Sequence, residues 1–334
     1  METEYINCYL CGADDTQLVY IARDIIWDID GFFRVVKCNL CGFVYVNPRP
    51  TIQAIQVFYP PKYFSRISAK VNLSNIYNFK LKKILENRYK PISKYKQKGK
   101  VLEIGCGEGF FLKFLKEKGY SVFGVEISEY ASNYAREVLG IDVFTGSIAD
   151  FNPGKELFDI ICMFEVLEHL YDPLSILLKI RYMLKDEAIL VITVPNFLSF
   201  QRILFQDSWH ILDVPRHLMQ FTKDHLKKML KKAGFKILAL FSMSNLNHLD
   251  ITTGYSQSLR YWLRKHHLYP ARDVSLKSIS SKNYALIDKQ ILKDLLKKVL
   301  HKAESILLYP LAGLMDIIGN GDNLYVCAKK DIDE

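Results

Sequence analysis

The sequence of 334 residues lacks any hydrophobic run of the about 20 apolar residues that a membrane-spanning helix needs. Its most apolar stretch, residues 306–318, is interrupted by Pro310 and Asp316. An apolar segment is also missing from the N-terminus, where Glu2 and Glu4 stand close together, and this argues against a secretory signal. We therefore expect a cytoplasmic protein.

Positive charge is scarce in the first part of the chain. Residues 1–60 hold four Lys or Arg against seven Asp or Glu, although the whole chain has a formal net charge of +9. A module that binds RNA should be basic, so we do not expect nucleic acid as its partner. Hydrophobic residues make up 49% and charged residues 24% of the sequence. That balance excludes wholesale disorder, and at about 150 residues per domain the length predicts roughly two domains.

The cysteine count does not favour a disulfide framework. There are seven, an odd number, in a chain without a signal, which favours metal binding. A redox pair would open a helix after a strand and would not need a duplicate. Two Cys-x-x-Cys-Gly pairs supply four thiolates, the ligand set of a closed structural Zn²⁺ site. The predicted ligands are Cys8, Cys11, Cys38 and Cys41.

The interval between the two cysteine pairs predicts a long hairpin in a zinc ribbon, with residues 17–22 paired to residues 32–37. The role of this ribbon stays open at the sequence level. The metal either replaces a core that so short a segment cannot build alone, or holds the ribbon as one wall of a substrate cleft.

From Gly99 to Phe241, short β-branched runs alternate with amphipathic helices. Strands that alternate with helices predict an α/β fold, here a doubly wound, Rossmann-like, seven-stranded and mostly parallel sheet. A late strand at residues 323–328 would close one edge of it. The other predicted strands are residues 101–104, 121–126, 142–145, 158–164, 188–194 and 236–241.

A glycine-rich loop leaves the first of these strands and enters a helix. Glycines stand at positions 105, 107 and 109, where they allow the backbone to approach a ligand closely. A nicotinamide-dinucleotide fingerprint needs glycine at position 110, which is Phe110. The second strand ends in Glu126, placed to accept hydrogen bonds from a ribose diol.

These motifs resemble the class I S-adenosylmethionine-dependent methyltransferases. The resemblance covers about residues 100–241 and the last strand. Its elements are Glu103-Ile-Gly105-Cys-Gly107-Glu-Gly109, Gly124-Val-Glu126-Ile-Ser128, Gly146-Ser147-Ile148, Phe158-Asp159, Glu165-Val-Leu-Glu168-His169-Leu-x-Asp172-Pro173, Val194-Pro195-Asn196 and His217-Leu-x-x-Phe221-Thr222. The N-terminal ribbon joined to such a core also looks like a subgroup found among sugar and surface-glycan methyltransferases.

The resemblance implies a role for each cofactor-binding residue. Gly105, Gly107, Gly109 and Glu103 would shape and support the bend beside the methionine moiety, and Glu126 would hold the ribose hydroxyls. The remaining predicted contacts are Ile127 on adenine, Ser147 and Ile148 near the adenine edge, and Phe164 and Glu165 under the methionine end.

Two histidines in the motif region are candidates for a general base, since an oxygen acceptor must lose a proton. His169 follows the fourth strand and His217 lies between the fifth strand and the next helix, both at the sheet edge where open α/β folds bind ligands. The alternative for His169 is a role in orienting its loop. Arg216 would bind an anionic substrate group or form a surface salt bridge.

The predicted organisation has five parts: a zinc-ribbon module (1–60), a helical linker (61–98), a methyltransferase core (99–243), a helical insertion that forms a substrate lid (244–320), and a final strand with its tail (321–334). Residues 283–303 carry an apolar stripe flanked by lysines. It packs on its own domain or gives peripheral membrane contact through residues 283–318.

The function predicted from the sequence is methyl transfer from S-adenosyl-L-methionine to a small molecule, with structural Zn²⁺. A phosphorylated or nucleotide-linked sugar is the favoured acceptor, because the insertion offers aromatic and basic groups such as Tyr255, Arg260, Tyr261 and Trp262. Two alternatives stay open: an RNA methyltransferase with a zinc finger, and a non-catalytic cofactor-binding module.

Overall fold

The computed structural model describes residues 1–64, 75–244, 251–266 and 314–331. We number the strands β1–β13 and the α-helices α1–α7 along the chain. The strands are β1 Thr3–Glu4, β2 Thr16–Ala22, β3 Phe33–Cys38, β4 Val44–Val46, β5 Arg49–Pro50, β6 Lys100–Ile104, β7 Ser121–Glu126, β8 Val143–Thr145, β9 Phe158–Phe164, β10 Leu184–Pro195, β11 Met219–Gln220, β12 Phe235–Met243 and β13 Asn323–Lys330. The helices are α1 Asn75–Ser93, α2 Phe110–Glu117, α3 Glu129–Glu137, α4 Pro173–Met183, α5 Phe200–Phe205, α6 Lys223–Lys232 and α7 Ile251–Lys265.

The central sheet has seven strands in the order β12-β13-β10-β9-β6-β7-β8. All neighbours from β10 to β8 pair in parallel. Strand β9 alternates between two apolar clusters: Ile161 and Met163 lie in one, Ile160 and Cys162 in the other. A strand buried on both faces is what helices packed on both sides of a parallel sheet require. The α/β fold and its mostly parallel sheet are therefore confirmed.

The late strand does not close an edge as the sequence suggested. Strand β13 pairs antiparallel with β10 on one side and with β12 on the other, so β12 is the edge strand. Leu324 and Val326 lie in one apolar cluster, and Tyr325 and Cys327 in the other. Both faces of β13 are thus buried, which an interior position explains and an exposed edge would not.

Local capping sets the helix starts around the sheet. The hydroxyl of Ser128 accepts a hydrogen bond from the N–H of Ala131, and the Asp172 carboxylate accepts one from the N–H of Ser175. Pro173 occupies the first position of α4, where its missing N–H has no cost to the helix. Ser128 caps α3 two residues after the end of β7, and Asp172 caps α4 after the loop and short 3-10 turn that follow β9, so both polar loops lie at the carboxyl edge of the sheet.

The N-terminal hairpin forms a second sheet of four strands in the order β11-β4-β3-β2. The predicted pairing is present, with Gln17 opposite Lys37 and Ala22 opposite Phe33. Its fourth strand, β11, comes from the segment that precedes α6, so one strand of the core pairs with the ribbon sheet.

Of the predicted insertion 244–320, the structure describes residue 244, residues 251–266 with helix α7, and residues 314–320. The apolar stripe at 283–303 lies outside the described residues. No helix among the described ranges has the length and apolarity to cross a membrane.

Candidate cofactor and acceptor site

The glycine loop between β6 and α2 is confirmed as a tight bend, but its three glycines serve different purposes. A Cβ on Gly105 would lie 2.5 Å from Val166 Cγ2, and one on Gly109 would lie 2.9 Å from Ala135 Cβ. These two positions exclude side chains because the loop packs closely on its neighbours. At Gly107, with φ +53°, a Cβ would meet nothing within 4 Å among the described residues. Gly107 is thus the position where the loop faces open space.

Glu126 ties the end of β7 to this loop. Its Oε2 accepts a hydrogen bond of 2.7 Å from the N–H of Gly107, and its Oε1 accepts one of 2.8 Å from the N–H of Ser128. Burial raises the pKa of Glu126, while the N–H groups of Ser128, Gly107 and Ile127 oppose that shift. Each carboxylate oxygen can accept a second hydrogen bond. The carboxylate is therefore held in place with acceptor capacity left for ribose hydroxyls.

Glu103 is a buried carboxyl group beneath the loop, 2% exposed. Its Oε2 accepts no hydrogen bond from any described residue, the kind of orphaned acceptor that a bound ligand can satisfy. Burial raises the pKa of Glu103 to about 8, opposed by Arg88 and reinforced by Glu126. Together with the space beside Gly107, this orphaned oxygen fits a cofactor that offers polar hydrogens.

Arg88 is a residue of this region that sequence reasoning missed. It comes from α1, and its guanidinium lies 4.5 Å from the centroid of the Phe164 ring. Burial lowers its pKa, while the carboxyl groups of Glu103 and Glu165 favour the charged form. In the sequence α1 is an ordinary Lys-rich linker helix, and only the tertiary contact between Arg88 and Phe164 places this charge at the site.

The other predicted cofactor residues differ in exposure. Ile127 is 69% exposed, as expected of a side chain that an adenine ring would cover, whereas Ile148 and Phe164 are buried in the core. The Oγ of Ser147 accepts a hydrogen bond from the N–H of Ala149. Glu165 has φ +59°, and its Oε1 accepts a hydrogen bond of 3.1 Å from Thr193 Oγ1. A non-glycine residue in this strained region points to a functional position.

The two candidate histidines lie side by side, with ring centroids 4.7 Å apart. Nδ1 of His169 is 2.9 Å from the carbonyl oxygen of Arg216, and Nδ1 of His217 is 2.8 Å from that of Ile211. A carbonyl oxygen can only accept, so Nδ1 of each ring carries a proton, and whenever a ring is neutral its lone pair is on Nε2. Burial, with His217 beside it, lowers the pKa of His169 to about 3.

The N-terminal module reaches this histidine pair through Tyr59, which follows β5, and through Asp24, which lies between β2 and β3. Tyr59 Oη lies 3.1 Å from His169 Nδ1. Arg216 is fully buried and forms a two-pronged ion pair with Asp24, at 2.6 Å and 3.0 Å. It also bonds Asp213 at 2.5 Å and donates to the Phe58 carbonyl at 2.8 Å. Neither expected role of Arg216 is correct, because its charge is matched inside the protein and out of contact with solvent.

Glu168 lies at the centre of this group, and sequence reasoning assigned it no role. Its side chain is 0% exposed, and neither carboxylate oxygen accepts a hydrogen bond within the described ranges. Oε1 lies 3.9 Å from His217 Nε2. The only sequence signal was its place directly before His169 in a motif that turns at the end of β9.

The four cysteines predicted to bind metal come together at the start of the ribbon, and ligand atoms of all four lie within 4.8 Å of one another. The sulfur of Cys8 is 3.5 Å from that of Cys41, and the sulfur of Cys11 is 3.6 Å from that of Cys38. All four are free thiols. Tetrahedral Zn–S bonds of about 2.3 Å place sulfurs roughly 3.8 Å apart. The donor set and its spacing therefore fit Zn²⁺.

Comparison with known proteins agrees with this geometry. A family model described as a methyltransferase domain matches residues 77–240. A probable S-adenosylmethionine-dependent methyltransferase of Mycolicibacterium smegmatis is 26% identical over 160 residues, 47% of this chain and 60% of that protein. A ubiquinone biosynthesis O-methyltransferase of Actinobacillus pleuropneumoniae is 29% identical over 136 residues, 37% of this chain and 58% of that protein.

A solved structure from Thermotoga maritima, a SAM-dependent methyltransferase described as a possible histamine N-methyltransferase, is 18% identical. The alignment covers 80% of this chain and 99% of that one, with a TM-score of 0.45. The chain spans about 60% of the length of the curated relatives it matches. On the family match, residues 77–240 of the chain form a methyltransferase domain, and the curated relatives that match it are named as S-adenosylmethionine-dependent or ubiquinone O-methyltransferases.

Proposed function

We propose that this protein transfers a methyl group from S-adenosyl-L-methionine to a small-molecule acceptor. The observation that carries the proposal is the pairing of two sites at one edge of the sheet. The held carboxylate of Glu126 and the open space at Gly107 follow β6 and β7, while the histidine pair follows β9 and β10. Parallel strands bring their carboxyl ends to the same edge, where open α/β folds bind ligands.

On the cofactor side, the bound S-adenosylmethionine supplies an electrophilic methyl group on sulfur. Glu126 accepts hydrogen bonds from the ribose hydroxyls, and Ile127 packs against the adenine. Gly107 gives the backbone close access, and Glu103 with Arg88 supports the loop beside the methionine moiety. Ser147, Ile148, Phe164 and Glu165 keep their proposed places at the adenine edge and the methionine end. These roles rest on exposure, orphaned acceptors and the family resemblance.

On the acceptor side, His169 or His217 accepts the proton of the acceptor hydroxyl through Nε2. The support is geometric: the carbonyl oxygens of Arg216 and Ile211 hold the two Nδ1–H groups, so the lone pairs are on Nε2. Alignment of the acceptor with the methyl group supplies much of the rate in such an in-line displacement.

Cys8, Cys11, Cys38 and Cys41 hold a structural Zn²⁺ in this proposal. The ion takes no part in methyl transfer. It fixes the ribbon, which supplies Asp24 to Arg216 and Tyr59 to His169 and so forms one wall of the acceptor site.

The proposed acceptor is a sugar or glycan precursor, phosphorylated or linked to a nucleotide. An acidic N-terminal module disfavours RNA, and the ubiquinone O-methyltransferase relative is named for a small molecule. Of the aromatic groups expected to stack on a sugar, Tyr255 is 4% exposed and packs near Phe205. Trp262 is partly exposed, so it is the better placed of the two.

The division into five parts, the cytoplasmic location and a peripheral membrane contact through residues 283–318 remain proposals from the sequence. Cell fractionation of the full chain tests the cytoplasmic location and the membrane contact together. Limited proteolysis tests the role of the ribbon: release of a stable 75–334 fragment would contradict the proposal that the ribbon forms one wall of the acceptor site.

The acceptor is tested by incubating the protein with methyl-labelled cofactor and pooled nucleotide sugars in one tube and total RNA in another. Label in the sugar pool supports the proposal. Label in RNA and not in sugars would replace it with the RNA alternative, and no label with tight cofactor binding would favour the non-catalytic alternative.

The cofactor site is tested with Glu126→Gln. We expect the affinity for S-adenosylhomocysteine, measured by calorimetry, to fall by about 1–3 kcal/mol, the scale of lost charge-assisted hydrogen bonds. Glu129→Gln, three residues away and exposed, is the matched control and should bind like the wild type. Equal affinity in Glu126→Gln and the control would remove Glu126 from the site.

A further inference from the structure

A carboxylate with no hydrogen-bond donor is buried beside the histidine pair. Glu168 is 0% exposed, and neither of its oxygens accepts a hydrogen bond from the described part of the chain. Such a group is costly in a folded protein unless a ligand or cation completes it. The backbone around it is well anchored, since the N–H of Leu218 donates to the Glu168 carbonyl at 2.9 Å. The side chain is therefore held in this environment by the fold.

The two imidazoles beside Glu168 have the hydrogen bonding typical of metal ligands. In metal sites, a ligating histidine donates its other ring N–H to a carbonyl or carboxylate, which fixes the tautomer and the ring orientation. Here Nδ1 of His169 donates to the Arg216 carbonyl and Nδ1 of His217 donates to the Ile211 carbonyl. Both donors are thus satisfied by the backbone, and the lone pairs are on Nε2.

The three side chains are close enough to share one ion. Ligand atoms of Glu168, His169 and His217 all lie within 4.8 Å of one another, and Glu168 Oε1 is 3.9 Å from His217 Nε2. Two ligand atoms bonded to one metal at about 2.1 Å lie no more than roughly 4.2 Å apart. Side-chain movements of a few tenths of an ångström would bring all three into bonding distance.

The charge balance of this pocket also calls for a cation. Arg216 is already matched by two carboxylates, Asp24 and Asp213. In the described ranges no Lys or Arg forms an ion pair with Glu168, and Glu165 and Asp213 add further acidic groups near it. His217 Nε2 lies 3.7 Å from Asp213 and 3.9 Å from Glu168. Acidic groups therefore outnumber basic ones around this cluster, and a bound cation would balance them.

The geometry points to a divalent-cation site formed by Glu168, His169 and His217, separate from the four-cysteine zinc site. Two imidazoles and one carboxylate are a donor set suited to Mn²⁺, Fe²⁺ or Zn²⁺, and three protein ligands leave coordination positions open. Those positions fit an acceptor with two neighbouring oxygen atoms, such as a vicinal diol. An acceptor hydroxyl bound there would be more acidic. Its proton would pass to bulk water in place of Nε2, and the two histidines would hold the ion.

The choice of acceptor rests on the proposed function, but the cation site does not, and the two can be measured separately. The zinc-loaded full chain is titrated with Mn²⁺, and free Mn²⁺ is followed by electron paramagnetic resonance. S-adenosylhomocysteine binding is measured on the same samples. We expect one Mn²⁺ per chain besides the zinc held by the four cysteines, with displacement by added Zn²⁺.

The test variant is Glu168→Gln, which keeps the size of the side chain and removes its charge. Its Mn²⁺ affinity should fall at least tenfold, the lower end of what ligand-shell changes cost. Asp322→Asn is the matched control, because Asp322 is also a buried carboxyl group, 3% exposed, that bonds Gln201 outside this cluster. The control should bind Mn²⁺ like the wild type.

His217→Gln provides a second variant if Glu168→Gln fails to fold, and it should lose Mn²⁺ to a similar extent. Wild-type protein that binds S-adenosylhomocysteine but no Mn²⁺ would overturn the cation site and leave the proposed function standing. Mn²⁺ affinity unchanged in both variants would also overturn it. Protein that binds Mn²⁺ but no S-adenosylhomocysteine would support the cation site while the proposed function fails.

Discussion

Arg216 connects three parts of the molecule through a single side chain. Its guanidinium pairs with Asp24 of the N-terminal hairpin and with Asp213 of the loop before β11. Its own carbonyl oxygen accepts the Nδ1–H of His169. Because the side chain is completely buried, the position of this carbonyl depends on both carboxylates. The orientation of the His169 ring therefore depends partly on the ribbon.

Asp24→Asn should destabilise the protein strongly, because it leaves a buried guanidinium with one of its two carboxylates. We expect the free energy of unfolding in urea to fall by about 3 kcal/mol, the scale for breaking a buried ion pair. The control is Asp28→Asn, which breaks the exposed pair with Arg23 and should cost less than about 1 kcal/mol. If the two variants lose the same free energy of unfolding, the buried Arg216–Asp24 pair stabilises the protein no more than the exposed Arg23–Asp28 pair does.

Glu103 should make stability depend on pH. Its pKa is about 8 in the folded protein and about 4.3 in an unfolded chain. The folded state therefore holds this proton more tightly, so the contribution to stability is fully present below about pH 4 and is lost as pH rises to about 8. Glu103→Gln stays neutral and should remove this dependence. Urea unfolding between pH 5 and pH 9 measures both proteins, and parallel curves would contradict the assignment.

At the scale of elements, the three glycines of the loop between β6 and α2 have two different roles, close packing and access to open space. Gly105 and Gly109 allow close packing, whereas Gly107 borders open space. All three have positive φ, from +53° to +79°, and sequence spacing alone does not separate these tasks. The difference arises from Val166 and Ala135, which approach the loop from other elements.

Gly105→Ala and Gly107→Ala should separate these tasks. Both place a side chain at positive φ, which costs roughly 1–2 kcal/mol, but only Gly105→Ala also collides with Val166. We expect Gly105→Ala to lose more unfolding free energy. Gly107→Ala should stay folded and lose affinity for S-adenosylhomocysteine, because its methyl group enters the open space. Denaturation and calorimetry measure the pair, and the reverse order would show that the open space is not the cofactor's.

At the scale of the whole molecule, the ribbon and the methyltransferase core share structure. Strand β11 extends the ribbon sheet, the ring of Phe43 packs 5.4 Å from that of Phe221, and Lys232 Nζ donates to the Leu10 carbonyl. Loss of order in the ribbon should therefore spread to the loop that carries Arg216 and His217, and leave the parallel strands largely unaffected.

Removal of zinc tests this coupling. Cys38→Ser should contain less zinc, and hydrogen exchange should rise in residues 1–46 and also in residues 210–221, because β11 and Arg216 lose their partners. Affinity for S-adenosylhomocysteine should persist, since Glu126 and the glycine loop lie away from the ribbon sheet. If hydrogen exchange rises only in residues 1–46, the ribbon is an appended module that does not stabilise the core. Lys185→Ala, which removes an exposed hydrogen bond to Asp159 between two core strands, is the control.

The sequence by itself determined the local parts of this protein. Alternation of apolar runs placed the strands to within a few residues, the glycine spacing and Glu126 predicted a cofactor loop, and two Cys-x-x-Cys-Gly pairs predicted the cluster of four cysteines that the structure brings together. These signals are local, because each depends on the period of one element or on residues within one turn. Tertiary structure alone decided that β13 is interior, that Arg216 is buried between Asp24 and Asp213, and that Glu168 stands beside two histidines. Those outcomes depend on contacts between segments up to 192 positions apart, which no periodicity records.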